Sequence, residues 1–161
     1  MNQPAADILW PAEFDLSTHP VHVHNELAMT VPRERVWAWL IRATIWPVWY
    51  PNSNNVRIVE GAPTDLAYGT RFRWRTFSTA IESQVKEFEP YERIAWDARG
   101  FGVYAYHAWL LRETPGGGCH VVTEERQHGW AAKGQAVFLP HRMSNGHQMW
   151  LENLHKCAGV R

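Results

Sequence analysis

The sequence predicts an α+β fold, on three observations. From Val56 to His128 it reads as strand after strand joined by tight turns, and consecutive strands joined that way make an antiparallel sheet. The stretch PHRMSNGHQMWLENLHKCA at 140–158 is one amphipathic helix: Met143, His147, Trp150, Leu154 and Cys157 recur at steps of four, three, four and three, the spacing of a single helix face. A helical segment separates the first strand from the others, so helices and strands are segregated rather than alternating. A sheet of about seven strands needs a cover for its apolar face, and the terminal helix with its one apolar stripe supplies it. A curved sheet held off that helix by bulky side chains leaves a cavity between them.

Residues 1–20 carry Pro4, Pro11 and Pro20 and little periodicity. They predict an irregular N-terminal arm pinned by Trp10, Phe14 and Leu16, with residues 21–161 forming a single domain. His22–Val31 alternates: Val23, Leu27 and Met29 share one face, His22, His24, Glu26 and Thr30 the other, and Asn25 is a polar intruder on the inner side. Val31-Pro32 ends this strand, and Arg33-Glu34 opens a helix whose Val36, Leu40 and Ala43 or Thr44 share a face. The helix is expected to end near Trp46-Pro47, because proline disfavours helix at the residue before it. WPVWYPN then adds a short second helical turn.

Val56–Glu60 is a short strand. In GTRFRWRTF, Phe72, Trp74 and Thr76 alternate with Arg71, Arg73 and Arg75, which gives a strand with one dry and one wet face. Ala80–Glu89, Arg93–Ala98, Val103–Glu113 and His120–His128 follow, punctuated by Pro90, the Gly100–Gly102 turn and the PGGG hairpin turn at 115–118. Gly129–Val137 has an ambiguous pattern and is read as a loop feeding the final helix. In that helix Pro140 suits the first turn and Gly159 the stop. Gly146 costs about 1 kcal/mol relative to Ala inside a helix, which points to a bend or a close approach there.

Bulk properties narrow the function classes. Sixteen basic residues balance sixteen acidic ones in the 161, which leaves no electrostatic footprint for nucleic acid or an anionic membrane. Cys119 and Cys157 have no pairing pattern, which argues against a disulfide or zinc framework and suits a reducing compartment. With neither a signal-peptide pattern nor an apolar run of membrane-spanning length, a cytoplasmic protein, monomeric or homodimeric, is expected. Ten tryptophans serve either as core packing or as the walls of a pocket for an apolar ligand.

Several stretches carry a resemblance. They are V-P-R-E-R-V-W at 31–37, W-P-V-W-Y-P at 46–51, G-T-R-F-R-W at 69–74, V-K-E-F-E-P with R-I-A-W at 85–96, Y-H-A-W at 106–109, G-G-G-C-H-V-V-T-E-E at 116–125 and H-Q-M-W-L-E-N-L at 147–154. In this order and spacing they resemble the START-like, helix-grip superfamily, and within it the polyketide cyclase/dehydratase branch of SRPBCC proteins. The likeness covers residues 22–158. It implies a curved seven-stranded antiparallel sheet gripping the C-terminal helix around a hydrophobic cavity. It implies no particular reaction: members bind or transport apolar ligands or cyclise and dehydrate polyketides, and no invariant catalytic set carries across them.

The residues suggest where chemistry would sit. Alternation puts Val103, Ala105, His107, Trp109 and Leu111 on one face of a strand, and Val121, Thr123, Glu125 and Gln127 on one face of the next. Across the PGGG turn these strands bring His107 and Glu125 together. With His147 looking in from the helix, the three are candidate acid–base residues, a carboxylate holding one imidazole nitrogen while the other exchanges a proton. The plainer reading is a structural polar pair, with His147 only linking helix to sheet.

Trp46, Trp49, Trp74 and Trp109 are candidate cavity walls, with Gln127 and Met143 beside them; Trp37, Trp96 and Trp150 are assigned to the core. His22-x-His24 is half a metal site without a third ligand, and no metal or cofactor is predicted. The arginines at 71, 73 and 75 read as a solvated face rather than a nucleic-acid surface. The function expected is binding of a small hydrophobic or aromatic molecule, lipid- or polyketide-like, in the cavity. The alternative is a cyclase/dehydratase-type enzyme using His107, Glu125 and His147. A third possibility is an interaction module whose contact is the Trp10–Leu16 arm.

Overall fold

The computed structural model describes residues 7–160, so the first six residues of the predicted arm, Pro4 among them, lie outside the described residues. The elements are β1 (Val21–Met29), α1 (Arg33–Ile41), α2 (Trp46–Trp49), β2 (Ser53–Glu60), β3 (Arg71–Thr76), β4 (Thr79–Glu89), β5 (Arg93–Gly100), β6 (Val103–Glu113), β7 (Cys119–His128), α3 (Trp130–Phe138) and α4 (Arg142–Gly159). The seven strands form one antiparallel sheet in the order β1-β7-β6-β5-β4-β3-β2. The fold is therefore α+β, as the sequence predicts: a meander from β2 to β7, with β1 added at the far edge and two short helices between β1 and β2.

The turns explain why the meander closes. In the PGGG hairpin the Gly117 N–H donates to Thr114 O at 2.9 Å and the Thr114 N–H to Gly118 O at 3.0 Å. The β3–β4 turn has two residues, Phe77 and Ser78, both left-handed with φ of 47° and 65°. That is the sense of twist a two-residue hairpin needs, though Asn-Gly usually supplies it. Here Asn52 supports the turn, its Oδ1 accepting the Phe77 N–H at 2.9 Å. A register shift in β4 between Val85 and Glu87 is a bulge of the kind that bends a strand and raises its twist.

The terminal helix lies on the concave face. Its buried side is Met143, Gly146, His147, Trp150, Leu151, Leu154 and Ala158, the predicted stripe widened by Gly146 and Leu151 and with Ala158 in place of the half-buried Cys157. Asn25, the polar residue on the inner side of β1, has partners there: its Nδ2 donates to Ser144 O and to Gln148 Oε1, each at 3.2 Å. The intruder is thus a tie between the edge strand and α4. Gly146 is a close approach, because Phe77 packs directly against it.

Three expectations need correction. The first helix stops at Ile41, because Arg42 leaves helical geometry (φ −80°, ψ 69°). Trp46 is itself helical (φ −49°, ψ −42°), and Pro47 lies in the first turn of α2, where a missing N–H costs nothing. Gly129–Val137 is no loop but mostly helix α3. Its apolar residues Trp130, Val137 and Phe138 face solvent while only Ala132 is buried, so the stretch lacks the inward stripe that reveals a helix in sequence. Leu16 does not pin the arm, being exposed, whereas Phe14 is fully buried.

The arm covers part of the convex face. Phe14, Ala95, Tyr106 and Ala108 form a second apolar cluster there, joined by Ile8 and Trp10. Arg126 lies 3.8 Å from the centre of the Trp10 ring and donates to Phe14 O at 3.0 Å. The arginine face of β3 is wet as predicted, Arg71 and Arg73 sharing Glu82 at 2.6 and 2.9 Å. Among the described residues no helix is long and apolar enough to cross a membrane.

Candidate functional site

β6 and β7 pair so that His107 stands directly opposite Glu125, and Trp96 of β5 stands opposite His107. All three therefore project from the same face, the one that α4 covers. From α4 comes His147, one turn before Trp150 on the buried stripe. The His107 and His147 rings are stacked, centroids 4.7 Å apart and planes 16° from parallel. His107 Nδ1 is 3.3 Å from Glu125 Oε2, and His147 Nε2 is 3.1 Å from the same oxygen.

The surroundings fix two of the three groups. Thr123, fully buried two residues before Glu125, places its Oγ1 2.7 Å from His107 Nε2. The Gln127 amide donates to Glu125 Oε1. His147 differs. Its contact with Glu125 is close but not aligned as a hydrogen bond, and neither of its nitrogens has a hydrogen-bond partner although both are buried.

Electrostatics follow from this burial. Withdrawal from water pushes the His107 imidazole down to about 3, against a smaller upward pull from Glu125, so the ring is neutral, with Nδ1 facing Glu125 and Nε2 facing Thr123. Burial alone would raise the Glu125 carboxyl. The two imidazoles and the Gln127 amide outweigh it and hold the carboxyl below its usual range. The site thus pairs a carboxylate with a neutral imidazole, the protonation states that base or ligand chemistry needs. His107, Glu125 and His147 also present three donor atoms all within 4.8 Å of one another.

A cavity of about 40 Å³ opens beside this group, with Trp74, Trp96 and Trp150 among its walls and His107, Glu125 and His147 on its lining. Of the lining residues, Thr76, Phe77, Thr79, Val103 and Gln135 are half-buried. The cavity therefore meets solvent between the β3–β4 turn and α3, and its floor is the histidine–glutamate cluster. Of the nine residues expected to touch a ligand, Trp74, His107, Glu125, Gln127, Met143 and His147 line it.

Trp46, Trp49 and Trp109 do not line the cavity. Trp46 is the hub of a packed aromatic cluster, 5.2 Å from Trp150, 5.4 Å from Trp74 and 5.5 Å from Trp96, and its Nε1 donates to Leu40 O at 2.9 Å. Trp109 lies two residues beyond His107 on β6 and packs on Trp150 at 5.0 Å. Trp49 is buried under α4, its carbonyl accepting from Asn153 at 2.9 Å. Trp96 and Trp150, assigned to the core, do line the cavity. Sequence reasoning also missed Thr123 as the partner of His107, and Phe77 and Gln135 at the rim. Thr123 shares a strand face with Glu125, which was the available signal; nothing in the sequence marks the other two.

His22 and His24 lie on the convex face and share Glu124, at 2.8 and 3.3 Å, far from the cavity side of the sheet.

Known proteins share this fold. A family profile described as Activator of Hsp90 ATPase homolog 1-like protein matches residues 30–159. The crystal structure of a hypothetical protein from Helicobacter pylori is similar with 30% identity and a TM-score of 0.88, covering 98% of this chain and 99% of that one. The Zhui aromatase/cyclase from Streptomyces sp. R1128 is similar in fold at 14% identity and a TM-score of 0.72, covering 85% and 92%. A truncated norcoclaurine synthase from Thalictrum flavum is similar in fold at 13% identity and 0.69, covering 87% and 94%. No curated protein sequence matches. The resemblance to START-like, SRPBCC and polyketide cyclase-type proteins is thereby borne out at the level of fold.

Proposed function

We propose, on the premise that this chain belongs to the Activator of Hsp90 ATPase homolog 1-like protein family, that it binds a small and mainly apolar molecule between the sheet and α4. One observation carries this reading: an indole-walled cavity with a polar floor of His107, Glu125 and His147. Apolar walls with a few convergent polar groups are the usual make-up of a ligand site. The indole N–H groups of Trp96 and Trp150 are buried without a partner, so a hydrogen-bond acceptor on the ligand would be favoured.

Volume sets the scale. An enclosed water needs roughly 10–15 Å³ of such space, so about 40 Å³ holds a handful of heavy atoms. A lipid chain or a polyketide would have to push apart the rim at Phe77 and Gln135. The reading is therefore a small ligand in the present conformation, with larger aromatic ones admitted only if the rim opens.

Native mass spectrometry of protein purified without denaturation, together with thermal unfolding in the presence of phenol and indole, tests it. A molecule that binds only the folded state at 100 times its dissociation constant stabilises by about 2.7 kcal/mol. Ala105→Leu, which fills the cavity from β6, should abolish both the adduct and the shift. A wild-type protein with no adduct and no shift for either probe would sink the reading.

A second reading, catalysis, is favoured by the registration of His107 against Glu125 on the cavity side. In a dehydration, a base removes the proton next to a carbonyl while an acid protonates the leaving hydroxyl, and water departs. The carboxylate or the neutral imidazole would take that proton, and the group so protonated would then return it to the leaving hydroxyl. A small β-hydroxy ketone would report it by enone absorbance. Glu125→Gln should then lower the rate at least about 100-fold, in the range of general acid–base effects, while the variant still unfolds cooperatively on heating.

A further inference from the structure

We propose that His107 Nδ1, Glu125 Oε2 and His147 Nε2 form a binding site for a divalent transition metal of the zinc class, with its remaining coordination position turned toward the cavity. The site is the one described above, but the inference goes beyond ligand binding and holds whether or not an organic molecule enters.

Spacing is the first argument. The three donor atoms lie within 4.8 Å of one another, and both imidazole-to-carboxylate separations are already 3.3 and 3.1 Å. Zinc bonds of about 2.0–2.1 Å in a tetrahedral arrangement put neighbouring donors roughly 3.3 Å apart. Two imidazoles and one carboxylate are also the right chemistry: calcium and magnesium prefer all-oxygen shells, whereas zinc, iron and their neighbours take nitrogen.

The outer partners point the same way. Histidine ligands usually give their second nitrogen to a fixed oxygen, and ligating carboxylates are themselves hydrogen-bonded. His107 Nε2 meets Thr123 Oγ1 at 2.7 Å, so Nδ1 is the nitrogen turned toward Glu125, and Gln127 occupies Glu125 Oε1, leaving Oε2 to face both rings.

His147 supplies the independent observation. Its side chain is 1% exposed, and neither ring nitrogen has a hydrogen-bond partner. A buried polar group left so is rare and calls for a cause. A metal must lie near the plane of each imidazole, and the rings are 16° from parallel, so one of them has to turn on binding. His107 is held by Thr123. His147 has no aligned hydrogen bond, so it is the ring that would turn.

The test is metal binding by the full chain, stripped with a chelator and titrated with zinc by calorimetry and with cobalt(II) by visible absorption. One equivalent per chain is expected, with a cobalt spectrum of tetrahedral intensity. His147→Phe and Glu125→Gln should each weaken it at least 100-fold, and Thr123→Val about 10-fold, as loss of an outer partner does. The double variant His22→Ala/His24→Ala removes the convex-face pair and should leave the equivalent intact. Should a site variant not fold, copper(II) paramagnetic resonance of the wild type counts its nitrogen ligands, and two are expected. Absence of binding in the wild type, loss of the equivalent in the His22/His24 variant but not in His147→Phe, or one nitrogen ligand would each overturn the proposal. Phenol binding to the stripped protein reads the organic-ligand hypothesis separately.

Discussion

The Phe77 ring occupies the space where residue 146 would carry a side chain: a Cβ on Gly146 would lie 2.5 Å from the ring. Helix propensity alone makes Gly146→Ala favourable by about 1 kcal/mol. The collision reverses that sign, since the ring sits at the cavity rim on a left-handed turn held by Asn52. Gly146→Ala should therefore lower the urea midpoint, and Phe77→Ala in the same chain should restore most of the loss. A double-mutant cycle between the two should show coupling of about 0.5–3 kcal/mol, the range for residues in contact; strict additivity would mean the ring does not rest there.

Thr123 should matter more than its size suggests. Thr123→Val keeps the shape but leaves His107 Nε2 buried without a partner, which costs about 1–3 kcal/mol. Thr123→Ser should keep most of that stability. Urea unfolding gives the cost, and nitrogen NMR of the imidazole gives the tautomer, which should be mixed in the valine variant and single in the serine variant.

Alkaline pH should destabilise the fold through its buried thiol and phenols. Burial pushes the Cys119 thiol from 9.0 up to about 11, and it raises Tyr50 and Tyr106 above their ordinary 10.0. Each group stays protonated in the folded chain while the unfolded chain has already lost the proton. The folded state binds more protons in that window, so stability falls as pH rises. Their contribution is complete below pH 9, declines first through Cys119 between 9.0 and about 11, and then through the tyrosines above 10.0, by up to about 1.4 kcal/mol per pH unit for each group. Tyrosinate absorbance of these two rings should appear together with unfolding rather than ahead of it.

Phe14→Ala should cost about 3–5 kcal/mol, as truncation of a fully buried aromatic does, because it empties the convex-face cluster with Tyr104 and Tyr106. The cavity lies across the sheet from that cluster. The thermal shift produced by phenol should thus be the same in Phe14→Ala as in the wild type, relative to each protein's own midpoint. A lost shift would tie the arm to the cavity.

The strands were legible because one face is wet: Phe72 and Trp74 against Arg71 and Arg73 can be read at period two without knowing any partner. The His107–Glu125 pairing was legible for the same reason, since alternation plus a tight turn fixes register. Helix α3 was not, because its bulky residues point to water and only Ala132 turns in. Nor was the choice among tryptophans. Whether Trp46 or Trp96 meets the cavity depends on where the break at Arg42 swings α2, a matter of tertiary packing. The convex-face cluster rests on contacts such as Arg126 with Phe14, separated by 112 residues, which no local pattern encodes.

The strand order has a consequence for synthesis. β1 emerges early from the ribosome, yet its one neighbour in the sheet, β7, is complete only at His128, and α4, to which Asn25 binds, only later. Until then both edges of β1 are unpaired, against one in the finished sheet, and it can pair with whatever strand comes near. Pairing so distant in sequence slows closure, so the nascent chain is more exposed to strand mispairing than the finished protein.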